Sequence, residues 1–256
     1  MSDDLTRDPF ARLRQATRAR IGLGRSGAGL PTSALASFRL DAARARDAVH
    51  APLDVAALQD ELSGFDTLAL ASAAADRSVY LRRPDLGRKL SHESRSALRE
   101  GGYDLAFVIC DGLSSAAVQA HAGATLRAAH EALSDLSIAP VAIVTQGRVA
   151  VGDEIGQGLG ARMVAVLIGE RPGLTVADSL GIYLTHNPQP GCPDSDRNCL
   201  SNIHLSGGQT PVQAASKLAW LVREARRRGL TGTKLKEEAP SLAASEIMPL
   251  PERPKD

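Results

Sequence analysis

Four short aliphatic runs constrain this chain more than any other feature: LAFVIC at 105–110, VAIVT at 141–145, MVAVLI at 163–168 and GIYLT at 181–185. They are continuous rather than alternating, and a strand that is apolar throughout needs cover on both faces. Helical patterns stand between them, a long one from Ser114 to Leu133 and a shorter one from Asp153 to Leu159. Strand, helix, strand at this rhythm predicts an α/β fold, a Rossmann-like parallel sheet with right-handed crossovers over residues 79–236. A last helix is expected from Pro211 to Arg228. Pro240, Pro249, Pro251 and Pro254 then mark residues 237–256 as a loose tail.

Residues 1–78 read differently, as a helical N-terminal subdomain. Asp8-Pro9 has the form of a helix start, Asp as N-cap and Pro at the first helical position. Phe10, Leu13, Thr17 and Ile21 follow at helical spacing, with Arg12, Arg14, Arg18 and Arg20 mostly on other faces. So short a helix is marginal in water, and its stripe needs an apolar partner, either this chain's own sheet domain or another protein. Gly22, Gly24, Gly27 and Gly29 end it in a turn, and further helices are expected over 32–49, 54–62 and 91–99. Val79-Tyr80-Leu81 is expected to be a short strand and 83–88 a structured turn.

Lys and Arg number 30 against 29 Asp and Glu, and the net +1 gives no basic field for coating nucleic acid. Aromatic residues, at 3%, are too few for a base-stacking platform. The longest apolar runs fall far short of the roughly 20 residues that cross a bilayer, so no membrane partner is expected. Met1-Ser2-Asp3-Asp4-Leu5 lacks the basic start and apolar run of a signal peptide, and three cysteines make no disulfide framework. A cytoplasmic protein is expected. Residues 22–27 match G-x-G-x-x-G, but a helix precedes them where the dinucleotide fingerprint needs a strand. Cys192, Cys199 and His204 have neither zinc-knuckle spacing nor a fourth ligand. No Gly-x-Ser-x-Gly elbow or Gly-x4-Gly-Lys loop occurs, so no self-contained catalytic apparatus is expected.

In an open parallel sheet, ligands bind beyond the carboxyl ends of the strands. The segments that follow the four runs are Asp111-Gly112-Leu113-Ser114, Gln146-Gly147-Arg148-Val149, Gly169-Glu170-Arg171-Pro172-Gly173 and His186-Asn187-Pro188. On one rim, with Cys199-Leu200-Ser201-Asn202-Ile203-His204 downstream, they would form a broad platform. Its neutral hydrogen-bonding groups suit a large amide-bearing ligand better than a bare polyphosphate.

Three of these blocks, preceded in order by Arg83-Pro84-Asp85-Leu86-Gly87-Arg88, resemble the small (light) subunit of ethanolamine ammonia-lyase. The blocks are 83–88, 111–114, 169–173 and 199–204, and the likeness spans roughly residues 8 to 230. The resemblance implies a helical N-terminal subdomain and a Rossmann-like cobalamin-binding domain. It also implies a function: with the large subunit, a barrel that holds ethanolamine, this chain would enclose adenosylcobalamin, and an adenosyl radical would start conversion of ethanolamine to acetaldehyde and ammonia. The family's cobalamin contacts fall on Val149, Glu170 and Cys199. With no D-x-H-x-x-G to supply a histidine to cobalt, base-on cobalamin is what the family implies. The chain would be silent without its partner. Many relatives carry an N-terminal extension tied to packaging in a bacterial microcompartment; here about eight residues precede the first helix, which speaks against encapsulation. The alternative is a stand-alone nucleotide- or flavin-binding regulatory domain on the same fold, which would bind its ligand as an isolated chain. A ligand-free scaffolding protein, the third reading, would be indifferent to substitutions in the rim loops.

Overall fold

The aliphatic runs form the middle of a six-stranded sheet. The computed structural model describes residues 9–17 and 19–239, and Asp8, Arg18 and the tail prolines lie outside them. In chain order the elements are α1 (Ala11–Ala16), α2 (Thr32–His50), α3 (Val55–Glu61), β1 (Thr67–Ala71), α4 (Arg77–Arg82), α5 (Pro84–Gly87) and α6 (His92–Ala97). There follow β2 (Leu105–Cys110), α7 (Ser115–Ala132), β3 (Val141–Thr145), α8 (Val151–Gly158), β4 (Met163–Gly169), β5 (Leu180–His186), β6 (Arg197–Ile203) and α9 (Pro211–Arg228).

The strand order is β1-β3-β2-β4-β5-β6. The first four run parallel, whereas β5 is antiparallel to both β4 and β6, so the sheet is mixed rather than wholly parallel. The reason lies in the connections. A parallel return needs a crossover of about a dozen residues or more, usually a helix. Residues 170–179 contain Pro172 and Gly173 and no helix, so the chain turns back on itself.

Three sequence expectations are modified. The segment expected to be mostly helical contains β1, an alanine-rich edge strand paired from Thr67↔Val141 to Ala71↔Thr145. Val79-Tyr80-Leu81 is not a strand but part of α4, whose N-cap Asp76 accepts a hydrogen bond from Val79 N at 2.8 Å. Three apolar residues are too few to separate strand from helix by period. The first helix is also shorter than its stripe: α1 stops at Ala16 and buries none of its residues.

Side chains alternate between two cores, as a period of two requires. One face carries Leu105, Phe107, Ile109, Ile143 and Leu167 against α3, α7 and α9. The other carries Val108, Val144, Val164 and Val166 against α8 and Leu98. Helix α9 has a capping box, Thr210 with Gln213, and ends at Gly229 in the left-handed region, φ 69°.

Candidate functional site

Parallel order in β1–β4 brings their carboxyl ends to one rim, and the antiparallel β5 adds its amino end there. The loop 186–188 is therefore not part of the platform. His186 pairs with Met163 at the start of β4, and Asn187 N donates to Arg162 O at 2.8 Å, on the opposite rim.

Asp111, just past β2, organises the next turn. Its buried carboxylate accepts from Gln146 N at 2.9 Å and Gly147 N at 3.0 Å, and Arg77 Nη1 stands 3.4 Å away. Burial raises its carboxyl above the usual range, while the backbone donors and Arg77 pull it down. Gln146 is left-handed, φ 57°, a conformation these bonds hold. The guanidinium groups of Arg77 and Arg148 stand 4.7 Å and 4.4 Å from the centroid of the buried Tyr80 ring. The Tyr80 hydroxyl donates to Gly147 O at 3.2 Å, and Arg148 N to Gly87 O at 2.7 Å. A Cβ at Gly87 would come within 2.9 Å of Arg148 Cγ and the Tyr80 ring, so this glycine permits the close approach. Two of the sequence blocks, 83–88 and 111–114, thus build the loop that carries Val149. Val149 itself is half-buried against the Val108 and Val166 face.

Glu170 follows β4. Its N–H donates to Ser179 O at 2.9 Å. Its Oε2 accepts from the Ser179 hydroxyl at 2.6 Å and from Asn202 N at 3.3 Å. Gly181 lies beneath it, where a Cβ would meet Oε1 at 2.9 Å. The connection 170–179 is anchored on α7, with the Ser114 hydroxyl donating to Ala177 O at 2.8 Å and His121 Nε2 3.3 Å from Asp178.

Cys199 lies within β6 and is exposed. It pairs in register with Tyr183, and Tyr183 with Val166, so the three side chains share one face. Desolvation against the sheet raises the Cys199 thiol; the Tyr183 hydroxyl lowers it and Glu170 raises it further, so the sulfur remains a neutral thiol near pH 7. Nothing in the sequence motifs marks Tyr183 as a site residue. It is only half-buried while Ile182 and Leu184 beside it are fully buried. Burial first, then Cys199 and Glu170, pushes its phenol upward. Its one signal in the sequence was a lone aromatic in an aliphatic run.

Helix α8 and strand β6 are tied by a buried pair, Arg197 and Asp153, each 1% exposed at the side chain, with both nitrogen–oxygen contacts at 2.7 Å. Arg197 also donates to Thr185 Oγ1 and Cys192 O, each at 2.9 Å. Gly152 lets the first turn of α8 lie directly on Val166. The helix that follows Val149 is in this way fixed against the strand that carries Cys199. Val149, Glu170 and Cys199 come to one face and its rim. Cys192 and Cys199 do not join His204 in a metal-binding group: among the described residues no three or more His, Cys, Asp or Glu converge in that way. His204 is buried, with Nε2 2.8 Å from Asn202 Oδ1 and Nδ1 accepting from Ser206 N at 3.1 Å. A carboxylate, a thiol, a phenol and a valine over a broad face offer contacts for binding rather than a nucleophile with its base.

The family model of the ethanolamine ammonia-lyase light chain (EutC) matches residues 7–236. The chain is 52% identical over 246 residues to the ethanolamine ammonia-lyase small subunit of Pseudomonas fluorescens SBW25, covering 92% of this chain and 88% of the relative. It is 53% identical over 244 residues to that of Azotobacter vinelandii, covering 91% and 90%. The small subunit of Xanthomonas campestris pv. campestris, strain ATCC 33913, is 53% identical over 246 residues, covering 91% and 89%.

Proposed function

The chain belongs to the ethanolamine ammonia-lyase light-chain family, and from that premise we propose that it forms the cobalamin-binding half of an ethanolamine ammonia-lyase and closes over the large subunit. The observation that carries this reading is that Glu170 and Cys199 stand on one face of the sheet beside Tyr183, with Val149 packed on the same face beyond α8. Adenosylcobalamin, when bound, supplies the radical chemistry that turns ethanolamine into acetaldehyde and ammonia, while the protein supplies position and environment.

The residues present fit that group. Gly181 leaves room for the Glu170 carboxylate, and Oε2 takes both of its hydrogen bonds. Oε1 can then accept an amide N–H from a side chain of the corrin ring. Val149 offers an apolar edge and Cys199 a soft, uncharged one. No D-x-H-x-x-G is present to bring a histidine to cobalt, so the cobalamin of this reading would keep its own base. The Arg197–Asp153 pair keeps the two sides of the face at a fixed distance.

The test is co-expression with a large subunit and an assay with adenosylcobalamin and ethanolamine. The assembled enzyme should release acetaldehyde, and the purified chain alone should release none. Acetaldehyde from the isolated chain, or cobalamin-independent turnover by the complex, would overturn the reading.

A further inference from the structure

Of the eight large hydrophobic side chains exposed among the described residues, five lie between residues 10 and 40: Phe10, Leu13, Leu30, Phe38 and Leu40. Helix α1 buries none of its residues, and the 19-residue α2 buries only Ala48. An apolar surface of this kind, concentrated in one segment, marks an interaction site. The same segment is basic: residues 9–50 contain eight arginines and two aspartates. Arg20 takes one of those aspartates, Asp41, at 2.7 Å.

The position of this arm identifies its partner. Arg20 Nη2 also donates to Leu174 O at 3.3 Å, in the loop that begins with Glu170, and Leu174 is a sixth exposed hydrophobic. At the far end of α2, Val49 O accepts from Arg77 Nε at 2.6 Å, and Arg77 reaches Asp111 at 3.4 Å. Just beyond, Ala51 O accepts from the Ser115 hydroxyl at 2.8 Å. The arm therefore meets the rim of the candidate site at both ends, at the Asp111 turn and at the loop after Glu170, where Leu174 adds to its exposed apolar side chains.

We propose that residues 9–50, with Leu174, are the docking surface for the large subunit, received by a patch of that subunit that is apolar at its centre and acidic around it. The proposal rests on the function proposed above, because the partner that covers the site face must also meet its rim. Arginine suits an acidic border, since its planar fork binds a carboxylate in two places. A second copy of this chain is the competing occupant.

The experiment uses the full-length chain and a large subunit produced together without cobalamin. Leu13→Asp and Phe38→Asp should each weaken association at least 10-fold by sedimentation or surface binding, with unchanged circular dichroism. Arg39→Glu should weaken it as well and flatten its salt dependence. In the wild-type protein, peptides from 9–50 should lose hydroxyl-radical labelling when the large subunit is added, a readout that needs no variant to fold. Unaltered labelling, wild-type affinity in the Asp variants, or variants that disrupt only self-association would overturn the proposal. A failure of the cobalamin reading shows separately, as a complex that protects the arm yet binds no cobalamin.

Discussion

Glu170 is the residue on which the proposed binding face is best defined. Ser179 and Asn202 aim its carboxylate through Oε2, and Gly181 gives it room. A hydrogen bond from a ligand amide to this carboxylate is charge-assisted, and removing such a bond costs about 1.5–3 kcal/mol. Glu170→Ala should therefore weaken cobalamin binding by the assembled enzyme roughly 10- to 150-fold, less where water reaches the carboxylate, with assembly intact. An absorbance titration of the variant complex measures this, and an unchanged dissociation constant would remove Glu170 from the site. Tyr183 stands between Val166 and Cys199 in the same cross-strand row, so a ligand spanning Glu170 and Cys199 passes beside its ring.

Among the elements, α8 and β6 are joined by one buried ion pair. Arg197 and Asp153 are both removed from water, and a buried pair loses heavily when only one partner is deleted. Asp153→Ala leaves the guanidinium with Thr185, Cys192 O and Asp194, whose own carboxylate is largely exposed. The expected loss is about 3–5 kcal/mol in denaturant unfolding. Replacing both partners together, Asp153→Leu with Arg197→Met, should recover most of it, because no charge is then left buried. A loss below about 1 kcal/mol in the single variant would mean that the pair contributes little to holding helix and strand together.

For the whole molecule, the two buried cores lie on the faces of the sheet, and the arm contributes almost nothing to them. A chain lacking residues 1–30 should keep its helical circular dichroism and unfold cooperatively, while its affinity for the large subunit falls. Loss of the folded signal on truncation would instead make α1 and the glycine turn part of the domain's stability. The structure favours the first outcome, since Phe10 and Leu13 remain 41% and 52% exposed.

Several things were decided by the sequence alone. Runs that are apolar throughout can persist only as strands covered on both faces, which placed β2, β3, β4 and β5 and the helices between them. Thr210, Pro211 and Gly229 set both ends of α9 by local chemistry. The four blocks 83–88, 111–114, 169–173 and 199–204, in order, were sufficient to indicate the family. Strand direction was another matter. β5 runs against β4 because the connection 170–179 forms no crossover helix in the folded chain, and that direction carries loop 186–188 to the other rim. β1 was hidden because Thr67-Leu68-Ala69-Leu70-Ala71 is too short and alanine-rich to declare itself; its pairing with β3 makes it a strand. Likewise Asp111, Tyr80 and Gly87 act on Val149 across the fold, and Tyr183 acquires its place from the strands on either side. Period and caps are properties of neighbours in the chain, whereas direction, register and the shared face of a sheet are set by contacts between residues far apart in it.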